Sequence, residues 1–223
     1  MSSFEKVNSK VVTAQVAPGQ EILARRGAML AYEGRVGFAP VHVGQGAGGY
    51  GGSLGGMLGR AMAGENVAMM VAQGEGKVYY GHGGMHLTVI ELDGSGVLSV
   101  EADRLVAHSA NLQSSVVFLG SQGGIRGAVR GAVSGQGLFT TQLAGVGSVA
   151  VLSHGGTIAL PVRPERPTSV DPQAYVAHYG QIQVDISASV GWRDAVGKGS
   201  GEAIQLKVTG SGIVYVQASE QKV

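Results

Sequence analysis

Three glycine pairs set the terms on which this chain can fold. Gly74-x-Gly76-x-Val78, Gly145-x-Gly147-x-Val149 and Gly210-x-Gly212-x-Val214 recur at intervals of about one third of the chain. Upstream of them lie the runs VAMMVA, LFTTQL and IQLKV; downstream lie KVYY, VAVL and IVYVQ. Residues of this kind favour extended backbone, and glycine supplies positive φ without a Cβ clash. An apolar run, a Gly-x-Gly turn and a second apolar run predict a β-hairpin, three times over.

A second phrase recurs in step with the first. It is MLAYEGRV at 29–36, LVAHSANL at 105–112 and YVAHYGQI at 175–182. Met29, Leu105 and Tyr175 correspond, as do Ala31, Ala107 and Ala177, and Tyr32, His108 and His178. Two motifs repeating in one order predict three copies of a β unit, over approximately 20–80, 81–152 and 153–219, in a single domain covering 1–223. Units this short must bury their apolar faces on one another. The expected architecture is all-β, a sandwich or barrel of three repeats about a pseudo-threefold axis.

Glycine-rich connectors separate the two phrases of each unit. The first, GQGAGGYGGSLGGMLGRAMAGEN, sets Leu54, Met57, Leu58, Ala61 and Met62 on one helical stripe, with Arg60 beside it. The second sets Ile125, Val129 and Val133 on a stripe with Arg126 and Arg130 alongside, and the third, VGWRDAVGKGSGE, carries Trp192. Interior glycine costs about 0.5–1 kcal/mol relative to alanine, so short connector helices are expected only where they dock. Leu54, Met57, Leu58, Arg60, Met62, Arg126, Arg130 and Trp192 are therefore the candidate interface residues. Their expected role is to cover the β core or a subunit interface, with a protein partner or a peripheral membrane contact as alternatives. HLTVIEL, GVLSVEA and SSVVFL read as strands. PVRPERPTSVDP, with four of the six prolines, reads as a rigid, exposed edge loop, because proline cannot donate to a ladder.

Composition narrows the function classes. The chain has no cysteine, which removes disulfides, thiolate nucleophiles and thiolate metal sites. Charged residues are 14% of the total, against roughly 25% in ordinary soluble domains. So little solvated surface predicts burial against further copies, a homo-oligomer. A net charge of +1 supplies no basic field, and nucleic acid is not an expected partner. MSSFEKVNSKVVTAQV contains neither a signal-peptide apolar region nor an Arg-rich presequence, and a cytoplasmic location is expected.

Enzyme signatures fail on context. Gly44-x-Gly46-x-x-Gly49 lacks an acidic residue closing a second parallel strand, since Glu65 follows no strand. Gly51-x-Ser53-x-Gly55 lacks the core strand that a nucleophile elbow needs before its serine. His82 and His86, four apart on a strand, would sit about 13 Å apart, too far to share an ion. His82 pairs by repeat with His154, and His108 with His178; the third positions are Gln217 or Ser219, and Tyr32, a poor set for zinc. No catalytic, cofactor-binding or metal-ligating residue is assigned, and no cofactor is expected. A small-ligand or metal-binding β-barrel protein is the alternative class.

RRGAMLAYEG at 25–34, the stretch GGMLGRAMAGENVAMMVAQGEGKV and DRLVAHSANL resemble the bacterial and mitochondrial family called "altered inheritance of mitochondria". The similarity runs over nearly the whole chain. It implies an all-β fold related to the tryptophan RNA-binding attenuator barrel. It also implies a non-catalytic role, the mitochondrial members being associated with inner-membrane organisation and respiratory-complex integrity, and it supplies no catalytic residues to transfer. Together these readings predict a non-enzymatic, self-associating scaffold or adaptor.

Overall fold

The computed structural model describes residues 2–41, 69–118, 139–188 and 204–220. The expected connector helices, and with them every candidate interface residue named above, fall in 42–68, 119–138 and 189–203, outside the described residues. What is described is almost entirely strand: β1 Phe4–Asn8, β2 Val11–Val16, β3 Ile22–Arg25, β4 Met29–Pro40, β5 Met69–Tyr80, β6 His86–Glu101, β7 Leu105–Ser109, β8 Gln113–Phe118, β9 Phe139–Ser153, β10 Thr157–Val162, β11 Thr168–Val170, β12 Tyr175–Ala188 and β13 Ile204–Gln217. A 3-10 turn, Ala102–Arg104, is the one helical element among the described residues.

All thirteen strands join one antiparallel sheet. Its order is β1-β2-β5-β3-β7-β9-β6-β12-β13-β10, with β4 also on β5, β8 on β9 and β11 on β13. The all-β expectation holds. Among the described residues no pairing links the two ends of this ladder into a closed barrel.

The Gly-x-Gly pairs are not hairpin turns. Gly74 and Gly76 lie inside β5, Gly145 and Gly147 inside β9, and Gly210 and Gly212 inside β13. The runs on either side of each pair are two halves of one strand. Each pair marks the place where that strand changes partner on one edge. β5 pairs with β3 before its glycines and with β2 after them. β13 pairs with β11 and then β10; β9 pairs with β8 and then β7, while its other edge follows the two halves of β6 around an irregularity between Asp93 and Val97. A strand that must turn a corner needs a residue free of the usual φ limits, and Gly74, Gly145 and Gly210 take φ of 116°, 118° and 111°.

Strand alternation builds the core as period-2 patterning requires. Along β13, Leu206 and Val208 are buried while Lys207 between them is exposed. The buried side chains form three clusters. The first gathers Val12, Ala14, Ile22, Val78 and Tyr80, and also takes in Val106 and Ala107 of β7. The second centres on Leu98, Leu143 and Val149, and takes in Val176 and Ala177 of β12. The third is built from Val162, Val170, Tyr175, Ile182, Val184, Leu206, Val208 and Val214. The proline-rich stretch is an exposed edge loop only in part: Pro161, Pro164 and Pro167 are exposed, but Thr168–Val170 forms β11 on β13, and Val162, Val170 and Pro172 are buried.

Candidate functional site

The surface that stands out is the outer edge of β4. Met29, Leu30 and Tyr32 are apolar or aromatic, yet Leu30 is 55% and Tyr32 49% exposed. β4 pairs with β5 through a register that skips Leu30, between Met29 opposite Tyr80 and Ala31 opposite Tyr79. The same bulge occurs twice more. β7 skips Val106 between Leu105 and Ala107 on β9, and β12 skips Val176 between Tyr175 and Ala177 on β13. A bulge re-aims the residues around it. In β7 and β12 the surroundings of the bulge are covered, and both Val106 and Val176 are 0% exposed. The cover comes from strands on the far side: β3 pairs with β7, and the second half of β6 pairs with β12. Among the described strands, none pairs with the outer edge of β4.

Polar groups stitch the sheet where strands of different thirds of the chain meet. Arg104 is fully buried; its Nε donates to Glu101 Oε2 at 2.6 Å and its Nη1 to Gln217 Oε1 at 2.6 Å. The Ser148 hydroxyl donates to Glu91 Oε2 at 2.6 Å, Ser2 donates to the other oxygen of that carboxylate, and Ser3 and Ser109 share a hydroxyl contact of 3.0 Å. These bonds tie the N-terminus onto β6, β7 and β9. In the bulged stretch of β6, Asp93 accepts from Ser95 and from the Tyr179 hydroxyl of β12. The Ser95 bond foremost, then that of Tyr179, holds the Asp93 carboxyl below the usual carboxylate range. Sequence reasoning singled out none of these residues for this work, because a lone charge or hydroxyl in a strand pattern carries no mark of its partner.

The histidines divide into two kinds. His108 and His178 are buried in the sheet rather than placed at hairpin ends. His108 Nδ1 lies 2.9 Å from the Ser109 carbonyl, which can only accept, so the ring carries its proton on Nδ1. His178 Nδ1 lies 2.8 Å from the Tyr175 hydroxyl, which in turn donates to the Ser99 carbonyl. His82 and His154 occupy the loops before β6 and β10; His82 is bound through its carbonyl to Met85 N, and His154 through its amide to Gln217. Among the described residues no group of three or more His, Cys, Asp or Glu is placed to hold a metal ion.

Burial lowers the His178 pKa to about 4 and lowers that of His108 as well. The unfolded chain, with histidine near 6.5, therefore binds more protons than the fold at mildly acidic pH. Stability is full above about pH 6.5 and is lost progressively as pH falls towards 4. A tenfold change in proton affinity is equivalent to about 1.4 kcal/mol, so His178 alone accounts for a loss of about 3 kcal/mol. Urea denaturation at pH 7.5 and pH 4.5 measures it, and His178→Gln should flatten the difference.

The family model described as mitochondrial biogenesis AIM24 matches residues 3–219. Among solved structures, the crystal structure of protein SPYM3_0169 from Streptococcus pyogenes is similar, with a TM-score of 0.69 and 20% sequence identity over 98% of this chain and 93% of that chain. At that identity the likeness speaks for the fold. No curated protein matches the sequence. Among the described residues no helix is long and apolar enough to cross a membrane.

Proposed function

Because the chain belongs to the mitochondrial biogenesis AIM24 family, as the resemblance of its motifs implied, we propose that it acts as a non-enzymatic scaffold that works by associating with itself. The observation that carries this reading is the contrast among the three bulged strands. Leu30 stands in solvent at the position where β7 and β12 bury a valine completely. An apolar strand edge left open is an invitation to pair, and on β4 the blunting residues, Glu33, Arg35 and Pro40, all lie beyond the apolar stretch Met29–Tyr32. The charge-poor composition points the same way.

Light scattering on the purified chain tests the reading. The expected molar mass is a multiple of 22.6 kDa at micromolar concentration. A mass of one chain at every concentration would overturn it, and a stoichiometric transition metal in the same sample would move the protein to the ligand-binding class.

A further inference from the structure

We propose that copies of this chain join head to tail, the outer edge of β4 on one copy pairing with β11 on the next. This rests on the self-association reading and specifies its surfaces. Two pairings inside the chain define the geometry. β3 lies along β7 with Ala24 opposite Ala107, Leu23 opposite His108 and Ile22 opposite Ser109. β6 lies along β12 with Val100 opposite Ala177, Ser99 opposite His178 and Leu98 opposite Tyr179.

The third strand of this kind is β11. Its place follows from what it pairs with across the bent strands. Ile22 faces Ala72 of β5, Leu98 faces Leu143 of β9 and Thr168 faces Val208 of β13, each two residues before the first glycine of its pair. Ala24, Val100 and Val170 then correspond, facing Met70, Thr141 and Leu206. β3 and the second half of β6 each cover a bulged strand; among the described strands β11 pairs only with β13, and β4 only with β5. Matching the one unused strand to the one uncovered bulge places Val170 opposite Ala31, Ser169 opposite Tyr32 and Thr168 opposite Glu33.

The apolar clusters demand the same partner. The first is completed by Val106 and Ala107 of the following bulged strand, and the second by Val176 and Ala177 of the one after. The third cluster draws on no following strand. In the assembly, Leu30 and Ala31 of a neighbouring copy take that place. β11 is three residues long, with Pro167 before it and Pro172 just beyond, which limits it to a partner of matching shape. Because the two edges differ, the contact is heterologous and propagates into a ring or a filament.

The chain has no cysteine, so introduced thiols report on one contact alone. Tyr32→Cys and Ser169→Cys variants, mixed and treated with a short bis-maleimide, should give a covalent two-chain product that neither variant gives alone. Leu30→Lys with Tyr32→Lys, both exposed in the single chain, should bring the mass down to 22.6 kDa with the far-ultraviolet spectrum unchanged. If the doubly thiolated chain links only within itself, β4 and β11 meet inside one molecule and the proposal fails. It also fails if the wild type is multimeric but the mixed thiol variants do not link and the lysine variant keeps the multimeric mass; self-association then survives through another surface. A wild type of single-chain mass overturns both readings together.

Discussion

Replacing Arg104 with alanine is expected to destabilise the fold by about 3–5 kcal/mol, the cost of breaking a buried ion pair from one side. The guanidinium is 0% exposed and its partner Glu101 only 13%, so water cannot take over the lost bonds. Its three nitrogens reach three places: Glu101 at the end of β6, the Gln217 side chain at the end of β13, and the Gln173 carbonyl ahead of β12. One side chain thus fastens the second third of the sheet to the last. Arg104→Lys should recover little, because an ammonium is a point charge and cannot span the separate acceptors of a planar fork. At roughly 2–4 °C per kcal/mol for a chain of this size, calorimetry should show a Tm lower by roughly 6–20 °C. An unfolding free energy from urea titration within about 1 kcal/mol of the wild type would show that the junction holds without the arginine.

Alanine at Gly210 should cost about 3–5 kcal/mol, while alanine at the corresponding Gly145 should cost about 1–2. Both glycines hold positive φ, 111° and 118°, so both substitutions strain the backbone. They differ in what the new methyl meets. At Gly210 it would lie 2.1 Å from the Gln181 carbonyl oxygen and 3.2 Å from Ile182 Cα, both backbone of the paired strand β12. At Gly145 the nearest atom is Leu112 Cδ2 at 3.3 Å, the tip of a side chain that need shift by only a few tenths of an ångström. Backbone cannot yield without breaking the β12–β13 ladder. Thermal unfolding of the two variants side by side measures the difference; equal losses would mean that φ strain alone sets the cost.

Strands were legible in the sequence because alternation is local: Leu206 in, Lys207 out, Val208 in needs no knowledge of the rest of the chain. Family membership was legible for a similar reason, being carried by contiguous words such as RRGAMLAYEG. The role of the glycine pairs was not. An apolar run, Gly-x-Gly and another apolar run describe a hairpin and a bent strand equally well. Only the position of the neighbours, β2 and β3 side by side along β5, decides between them. The same limit hid the open edge. MLAYEGRV, LVAHSANL and YVAHYGQI look like one phrase, yet the opening four residues are exposed in the first and buried in the others because of which strand lies next to them. Arg104 carries no mark in the sequence because a lone charge between two strands ordinarily means surface, and its burial depends on Gln217, more than a hundred positions away.

The bent strands also come last in their neighbourhoods, which bears on how the protein is made. β2, β3 and β4 leave the ribosome before β5, the strand with which all three pair. The long glycine-rich stretch between β4 and β5 must be synthesised before any of these ladders can zip. Distant pairings of this type fold slowly and keep sticky edges open meanwhile. The yield of soluble material in a cell then depends on how long the early strands wait for β5, and on the chaperones that shield them during the wait.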